Sequence, residues 1–233
     1  DKVFPEFKPF FNNRFGNGAL YVLKRYKTKE RISKLTMSDF ESTKKQMKGK
    51  FSYPKFSHLR QLAKDSIGIT SKIYDMLIRA AISEYEHLSL LLESIDEQII
   101  DLYQQVDSKL TTIPGMGVIT AATIYAEIGD ITKFPNPAKL IAFIGFDVSI
   151  SQSGLAEHHG HIVKRGSGLL RKAIWTFALP SLRFLPVIHD YYHLKKSHGK
   201  HHKVALTHVC RKLIRMIYHI EYNHISYNPT LNH

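Results

Sequence analysis

From Ser71 to Leu110 the sequence contains neither glycine nor proline, the two residues that most readily end a helix. Its apolar residues fall at Ile73, Leu77, Ala81, Tyr85, Leu88, Leu92, Ile95, Ile99 and Leu102, and the later spacings of 3, 4, 3, 4 and 3 are those of a coiled-coil seam. One helix over this span is about 60 Å long at roughly 1.5 Å per residue. It is acidic: Asp75, Glu84, Glu86, Glu93, Asp96, Glu97, Asp101 and Asp107 face only Lys72, Arg79 and Lys109. Phosphates repel such a helix. It therefore reads as an arm that pairs with another helix, either within the chain or in a second copy, and a homodimer or higher oligomer through residues 71–110 is expected.

The remainder has the opposite charge. Over all 233 residues, 33 Lys and Arg stand against 20 Asp and Glu, a net of +13. That surplus predicts a polyanionic partner, most often nucleic acid and otherwise an acidic membrane surface; a merely basic protein is the plain alternative. The excess is concentrated. Between Gly160 and Ile220 lie Lys164, Arg165, Arg171, Lys172, Arg183, Lys195, Lys196, Lys200, Lys203, Arg211, Lys212 and Arg215, opposed only by Asp190. A single cysteine, Cys210, rules out an internal disulfide and a thiolate zinc cluster and suits a cytoplasmic protein. The longest apolar stretch, Ala173 to Ile188, is broken by Pro180, Arg183 and Pro186, so no membrane span is expected.

The first 70 residues read as short amphipathic helices without an obvious compact core of their own. "NGALYVLKRY" follows a Gly-Asn-Gly start. Thr36 and Asp39 have capping-box spacing. "FSHLRQLAKDSIG" places Phe56, Leu59, Leu62, Ala63 and Ile67 on one face and ends at Gly68. No strong strand pattern occurs, so the fold class expected is mainly α.

Two glycine-rich turns carry the candidate chemistry. In "IPGMGVITAATIYAEIGD", Gly115 and Gly117 precede a helix from about Val118, with Thr120 in its first turn. Unpaired N–H groups and the positive helix end make a cradle for a phosphate. Leu110 and Ile113 before the turn, with Ala121, Ala122 and Ile124 after it, suggest a helix-hairpin-helix that grips a nucleic-acid backbone without reading bases. A plain helical turn inside a core is the alternative. In "VKRGSGLLRKAIW", Lys164, Arg165 and Gly166 precede a second helix start, and Arg171 and Lys172 follow it. That also fits phosphate binding, whereas the GxxxxGK[ST] spacing of a nucleotide loop is absent. Lys200 and Lys203 extend the basic surface.

Other chemistry is weaker. Ser153 precedes Gly154 in a polar segment, and on chemistry alone a Ser-Gly pair is more often a simple loop than an exposed nucleophile. His189 and His193 share a helical face, but histidines among lysines more often extend a basic surface than bind metal. Cys210 falls on the buried face of "KVALTHVCRKLIRMIYHI" with Val204, Ala205, Val209, Leu213, Ile214 and Ile217.

Taken in order, "IPGMGVITAATIYAEIGDITKF", "KLIAFIGF", "QSG", "KRGSGLLRKAIW" and "GKHHKVALTHVCRKLI" resemble the C-terminal domain of the IS110 (IS116/IS902) family of insertion-sequence transposases. "FPEF" and the acidic helix resemble that family's middle region. The resemblance implies a RuvC-like domain with four acidic Mg2+ ligands and a C-terminal domain whose serine attacks a DNA phosphate. Ser153 matches that serine, with Ser151 as the fallback. Some family members are directed by a noncoding guide RNA, which the same basic surfaces would hold. None of the four acids can be placed here, since the chain starts at Asp1, just before "FPEF". The expectation is a C-terminal portion: 1–69, the remainder of the RuvC-like domain and linker helices; 70–110, the coiled coil; 111–226, the helical transposase domain; and 227–233, a tail. No cofactor is expected in this chain, and Mg2+ only with the RuvC-like half. Partners expected are DNA, with guide RNA in some members, and no membrane. A non-catalytic DNA-binding module that dimerises through the acidic helix is the second reading, and an RNA-binding structural protein the third.

Overall fold

A computed structural model describes residues 2–11, 13, 16–146, 148–153, 156–162 and 166–230, with the segments 148–153 and 156–162 described by backbone alone. The chain divides into two compact units, Asp1–Glu93 and Ser94–His233. Helices dominate both.

The first unit is built from α1 (Phe7–Phe10), α2 (Asn17–Tyr26), α3 (Lys29–Ser33), α4 (Met37–Gln46) and α5 (Tyr53–Lys64), and α6 (Lys72–Gln104) begins within it. Local signals set most of the boundaries. Thr28 caps α3 by accepting from Arg31 N. The Thr36–Asp39 capping box is present in full, with Thr36 N donating to Asp39 Oδ2 at 2.9 Å. Contrary to the sequence expectation, these short helices do share a core. Phe7, Val22, Tyr26, Ile32, Phe40, Phe51, Phe56 and Leu59 form one buried cluster, with the Phe40 and Phe56 rings 5.2 Å apart. Each helix supplies only a few anchors, so no long apolar stripe betrays the core in the sequence. The buried Tyr26 hydroxyl and Thr43 Oγ1 satisfy each other at 2.9 Å. Ile67 departs from its expected buried face: α5 stops at Lys64, and Ile67 is 87% exposed.

Helix α6 covers 33 residues, from Lys72 to Gln104, shorter than the expected 71–110 and about 50 Å long at 1.5 Å per residue. Most of the predicted seam is exposed, Ile73, Leu77, Leu88, Leu92, Ile95 and Leu102 among it. Tyr85 meets Lys24, whose Nζ lies 5.9 Å from the ring centroid, and Ile99 packs on the core of the second unit. Leu91 is exposed as well.

The second unit contains α7 (Val118–Ile128), α8 (Pro137–Ile144), the strands β1 (Val148–Ser153) and β2 (Ala156–Ile162), α9 (Gly168–Phe184), α10 (Pro186–Ser197) and α11 (His202–Asn223). α11 is the central element, packing on α8, α9 and α10. Ala205, Leu206, Val209, Cys210, Leu213, Ile214, Met216, Ile217 and Ile220 form its buried face. Val204, expected among them, is 44% exposed, because it lies in the first turn, ahead of the helices that cover the rest. Burial of a large apolar side chain stabilises by about 1.5–3 kcal/mol, and the fully buried Leu170, Ile174 and Phe177 of α9 add to the same core. The fold is mainly α, as expected; the antiparallel β1–β2 hairpin is, among the described residues, the one element for which the sequence showed no strand pattern. Its polar residues carry little strand propensity of their own, and cross-strand pairing supplies what propensity does not. Among the described residues no helix is long and apolar enough to cross a membrane.

Candidate nucleic-acid interface

The turn before α7 has two glycines with two different jobs. Gly115 sits at φ +86°, and a Cβ there would lie 2.6 Å from Phe184 Cδ2. It is glycine because the backbone is left-handed and a ring covers it. Gly117 is the N-cap of α7 at φ −76° and ψ 150°, an extended conformation open to any residue. A Cβ on Gly117 would meet nothing within 4 Å. No side chain caps α7, and no acid lies in its first turn. Its first N–H groups, Thr120's included, therefore have no capping side chain from the N-cap residue. The element before the turn is a single 3-10 turn, Leu110–Thr112, where a helix-hairpin-helix would have an α-helix. Pro114 accounts for the stop, since the residue before a proline is driven extended and Ile113 lies at φ −74°, ψ 119°.

The second turn is built differently. Gly166 has φ +117°, and a Cβ there would collide with the Phe143 carbonyl oxygen, so the chain leaving β2 is pressed onto the end of α8. Arg171 holds this junction: its Nη1 donates to Ile144 O at 2.9 Å and to Gly166 O at 3.4 Å. Ser167 caps α9 by accepting from Leu170 N at 3.0 Å and donates its own hydroxyl to Glu127. An acid thus stands beside the N-terminus of α9. Glu127 was not singled out in the sequence and no motif marks it; Ser167 lies inside the glycine-rich turn, but its capping role does not follow from that motif.

Gly166 and Phe146 flank the two ends of the hairpin. Ser153 closes β1 and pairs with Ala156, with Ser151 opposite His158. At about 3.3 Å per residue, Ser153 lies about 17 Å along the strand from Val148. The Ser153 side chain, Gly154, Lys164 and Arg165 lie outside the described residues.

α7 and α9 run antiparallel. Glu127, near the end of α7, meets Ser167 at the start of α9, while Gly115, just before α7, meets Phe184 at the end of α9. The two glycine turns therefore sit at opposite ends of α9, about 24 Å apart at 1.5 Å per residue.

A third cationic site joins α10 to α11. Lys195 and Lys212 both approach the Tyr191 ring, at 5.0 and 5.1 Å from its centroid. Burial, and then Lys195, Arg211 and Lys200, hold the His208 imidazole below its ordinary value. Lys200 belongs to this cluster, and Lys203 lies exposed in the first turn of α11, which contains no acid. Lys172 stands on α9, one residue beyond Arg171.

Residues 107–193 match the pattern of the transposase IS116/IS110/IS902 family. By that match the segment is similar to the IS116/IS110/IS902 transposases. The relatives agree. An uncharacterized 43.6 kDa protein of insertion element IS110 from Streptomyces coelicolor is 32% identical over 109 residues, 47% of this chain and 27% of its own length. The transposase for insertion sequence element IS1111A from Coxiella burnetii is 34% identical over 131 residues, 52% of this chain and 34% of its own. An uncharacterized 42 kDa protein of insertion element IS900 from Mycobacterium paratuberculosis is 27% identical over 121 residues, 52% of this chain and 30% of its own. The chain spans about a third of the length of these curated relatives.

The IS110-family segment contains both glycine turns, the hairpin and the first part of α10, and stops before Lys200 and Lys203. α11 lies beyond it yet supplies the core on which α8, α9 and α10 rest. Burial pushes the Cys210 thiol up to about 12, so it stays protonated and serves packing. The His189 and His193 rings lie 4.4 Å apart, tilted by 50°, and His189 Nδ1 lies 3.2 Å from Asp190 Oδ1. Among the described residues no group of three His, Cys, Asp or Glu side chains could hold a metal ion.

Proposed function

We propose that this chain is the nucleic-acid-handling portion of an IS110-family DNA transposase and that it supplies the serine nucleophile for strand cleavage and exchange. The observation that carries this reading is the family match over 107–193, which brackets the hairpin whose first strand ends at Ser153. In the proposed step the Ser153 hydroxyl oxygen bonds to a backbone phosphorus as one phosphorus–oxygen bond to a deoxyribose breaks. The serine proton is given up, and the released sugar oxygen gains one. The phosphate stays linked to the protein until a sugar hydroxyl of the exchanged strand displaces the serine. Lys164, Arg165 and Lys172 are the cations placed by sequence beside the hairpin's exit, and Arg171 holds that exit to α8. The open N-terminus of α7 and the α10–α11 cluster grip backbone phosphates elsewhere on the DNA, or on a guide RNA where one is used. A second copy of the chain is the partner proposed for α6.

The test is a trapped adduct. The chain is supplied with an acidic RuvC-like half and incubated with end-labelled element-end DNA, and phosphoserine is sought by denaturing electrophoresis and peptide mass spectrometry. Ser153→Ala is expected to abolish the adduct and leave DNA affinity unchanged. An adduct that survives this substitution and maps to Ser151 moves the nucleophile to that residue. Binding without any adduct favours the non-catalytic module.

A further inference from the structure

The first unit holds a cleft of about 870 Å³, lined by Phe10, Phe11, Tyr21, Phe51, Tyr85 and aliphatic neighbours together with Lys24, Lys48, Lys50 and Lys55. It lies wholly outside the family segment. Its size falls within the roughly 300–1,000 Å³ typical of small-ligand sites, but its chemistry is not that of a drug-like pocket. Rings and ammonium groups line it together, and no carboxylate lines it among the described residues. One acid stands close by: Glu86 pairs with Lys24 at 3.1 Å. Among the described residues Lys48, Lys50 and Lys55 make no ion pair, and all three are exposed. Phe51 is buried and forms the floor, Phe10 and Phe11 are half-buried, and Tyr85 is 38% exposed.

A cluster of like charges around exposed rings repels itself and is relieved by a polyanion. A duplex presents phosphates but keeps its base faces stacked inside. Only unpaired nucleotides offer both phosphate and an open base face, and ring stacking beside a cationic track is how strands are held without sequence preference. The geometry points to this cleft as a site for a single-stranded nucleic-acid segment, its bases against Tyr21, Tyr85, Phe10 and Phe11 and its phosphates on Lys48, Lys50 and Lys55. This stands apart from the proposed function, which places backbone contacts in the second unit. The occupant shares one chemistry whether it is displaced DNA or guide RNA.

The experiment uses the whole chain and fluorescence anisotropy with a labelled unstructured strand of about 12 nucleotides, made as DNA and as RNA, and the matching DNA duplex. Tyr85→Ala alters an exposed ring and is expected to weaken single-strand binding at least fivefold, the low end of about 1–3 kcal/mol per stacked base. The triple variant Lys48→Gln, Lys50→Gln, Lys55→Gln is expected to lower the log–log salt slope for the strand by about 2, three contacts at about 0.7 each. Neither change should alter duplex affinity. Lys195→Gln with Lys212→Gln, at α10–α11, should do the reverse. Preference for the RNA or the DNA strand names the source, and either supports the site. Unchanged single-strand affinity in the triple variant, equal loss for strand and duplex, or no binding of either strand by the unaltered chain would overturn it. Loss of duplex binding alone in the α10–α11 variant leaves this inference standing and bears only on the backbone contacts proposed above.

Discussion

Gly117 allows fold and binding to be separated with one residue. It is the N-cap of α7 in an extended conformation, with open space where a Cβ would stand and no capping side chain. Gly117→Asp puts a carboxylate within reach of the free N–H groups of the first turn. The cap contributes a few tenths of a kcal/mol over glycine, and the negative charge at the positive helix end adds about 0.3–1 kcal/mol. The variant is therefore expected to be about 0.5–1.5 kcal/mol more stable, a rise of a few °C in Tm. The same carboxylate opposes any phosphate held there. At about 5 Å and an effective dielectric near 20 the repulsion is about 3 kcal/mol. Screening at about 0.1 M salt reduces this to about 1–2 kcal/mol, which is roughly a five- to thirtyfold loss of affinity. Gly117→Ser keeps the cap without the charge and should bind normally. Thermal denaturation and duplex anisotropy at one fixed salt concentration read both effects. A stabilised Asp variant with unchanged affinity would show that α7 holds no phosphate. A destabilised one would show that the cap geometry is wrong.

Two further outcomes are expected. Glu221 is buried, and its Oε1 accepts from Ser108 Oγ at 2.9 Å and Lys109 N at 3.1 Å, while burial raises its carboxyl above the ordinary 4.5. A raised folded value means that its contribution is full below about 4.5 and lost as pH rises through the folded value. Glu221→Gln keeps both bonds and should flatten urea-measured stability above that pH, whereas Glu221→Ala should cost about 2–4 kcal/mol; a Gln variant with the pH slope of the unaltered chain would refute the assignment. On α6, Leu92→Lys with Ile95→Lys should weaken self-association at least tenfold by sedimentation equilibrium without lowering Tm, since both side chains are exposed. An unaltered chain that stays monomeric at high concentration would remove the dimer.

What was legible in the sequence was what neighbouring residues decide. The Thr36–Asp39 box needs only a three-residue spacing. The buried stripe of α11 repeats over six turns, and Gly115 could be read as a turn from its neighbours. What was hidden depends on contacts distant in sequence. Ile67 continues a helical pattern, yet Ser66 Oγ donates to Glu6 Oε2 at 2.6 Å, and a Cβ on Gly68 would collide with the Val3 carbonyl oxygen. The chain is drawn there toward its own beginning. Arg171 shows the same limit at the candidate site. Counted as charge, a guanidinium beside a glycine turn suggests a phosphate, but two of its hydrogen bonds end on Ile144 and Gly166 carbonyls. The Ile99 position of the seam was likewise assigned by periodicity alone, before the second unit's core could claim it.

The antiparallel pairing of α7 and α9 decides how the two glycine turns divide the work. They lie about 24 Å apart along α9, so one phosphate cannot touch both. On a strand with about 3.4 Å between successive charges, sites so separated would meet phosphates about seven nucleotides apart. Their electrostatics also differ. At the start of α9 Ser167 satisfies one N–H, and Glu127 already sets a carboxylate beside the positive helix end. An incoming phosphate there would have to displace or outweigh that acid. At the start of α7 no side chain caps the helix and no acid lies in the first turn, so neither a cap nor a first-turn carboxylate opposes an anion. In the proposed function the burden of phosphate binding therefore falls on Gly117 and its helix, while Gly166, Ser167 and Arg171 fix the exit of the hairpin that bears Ser153. If Ser153 is the nucleophile proposed above, it gains from that division, because the groups holding the base of its hairpin are not also required to hold the substrate.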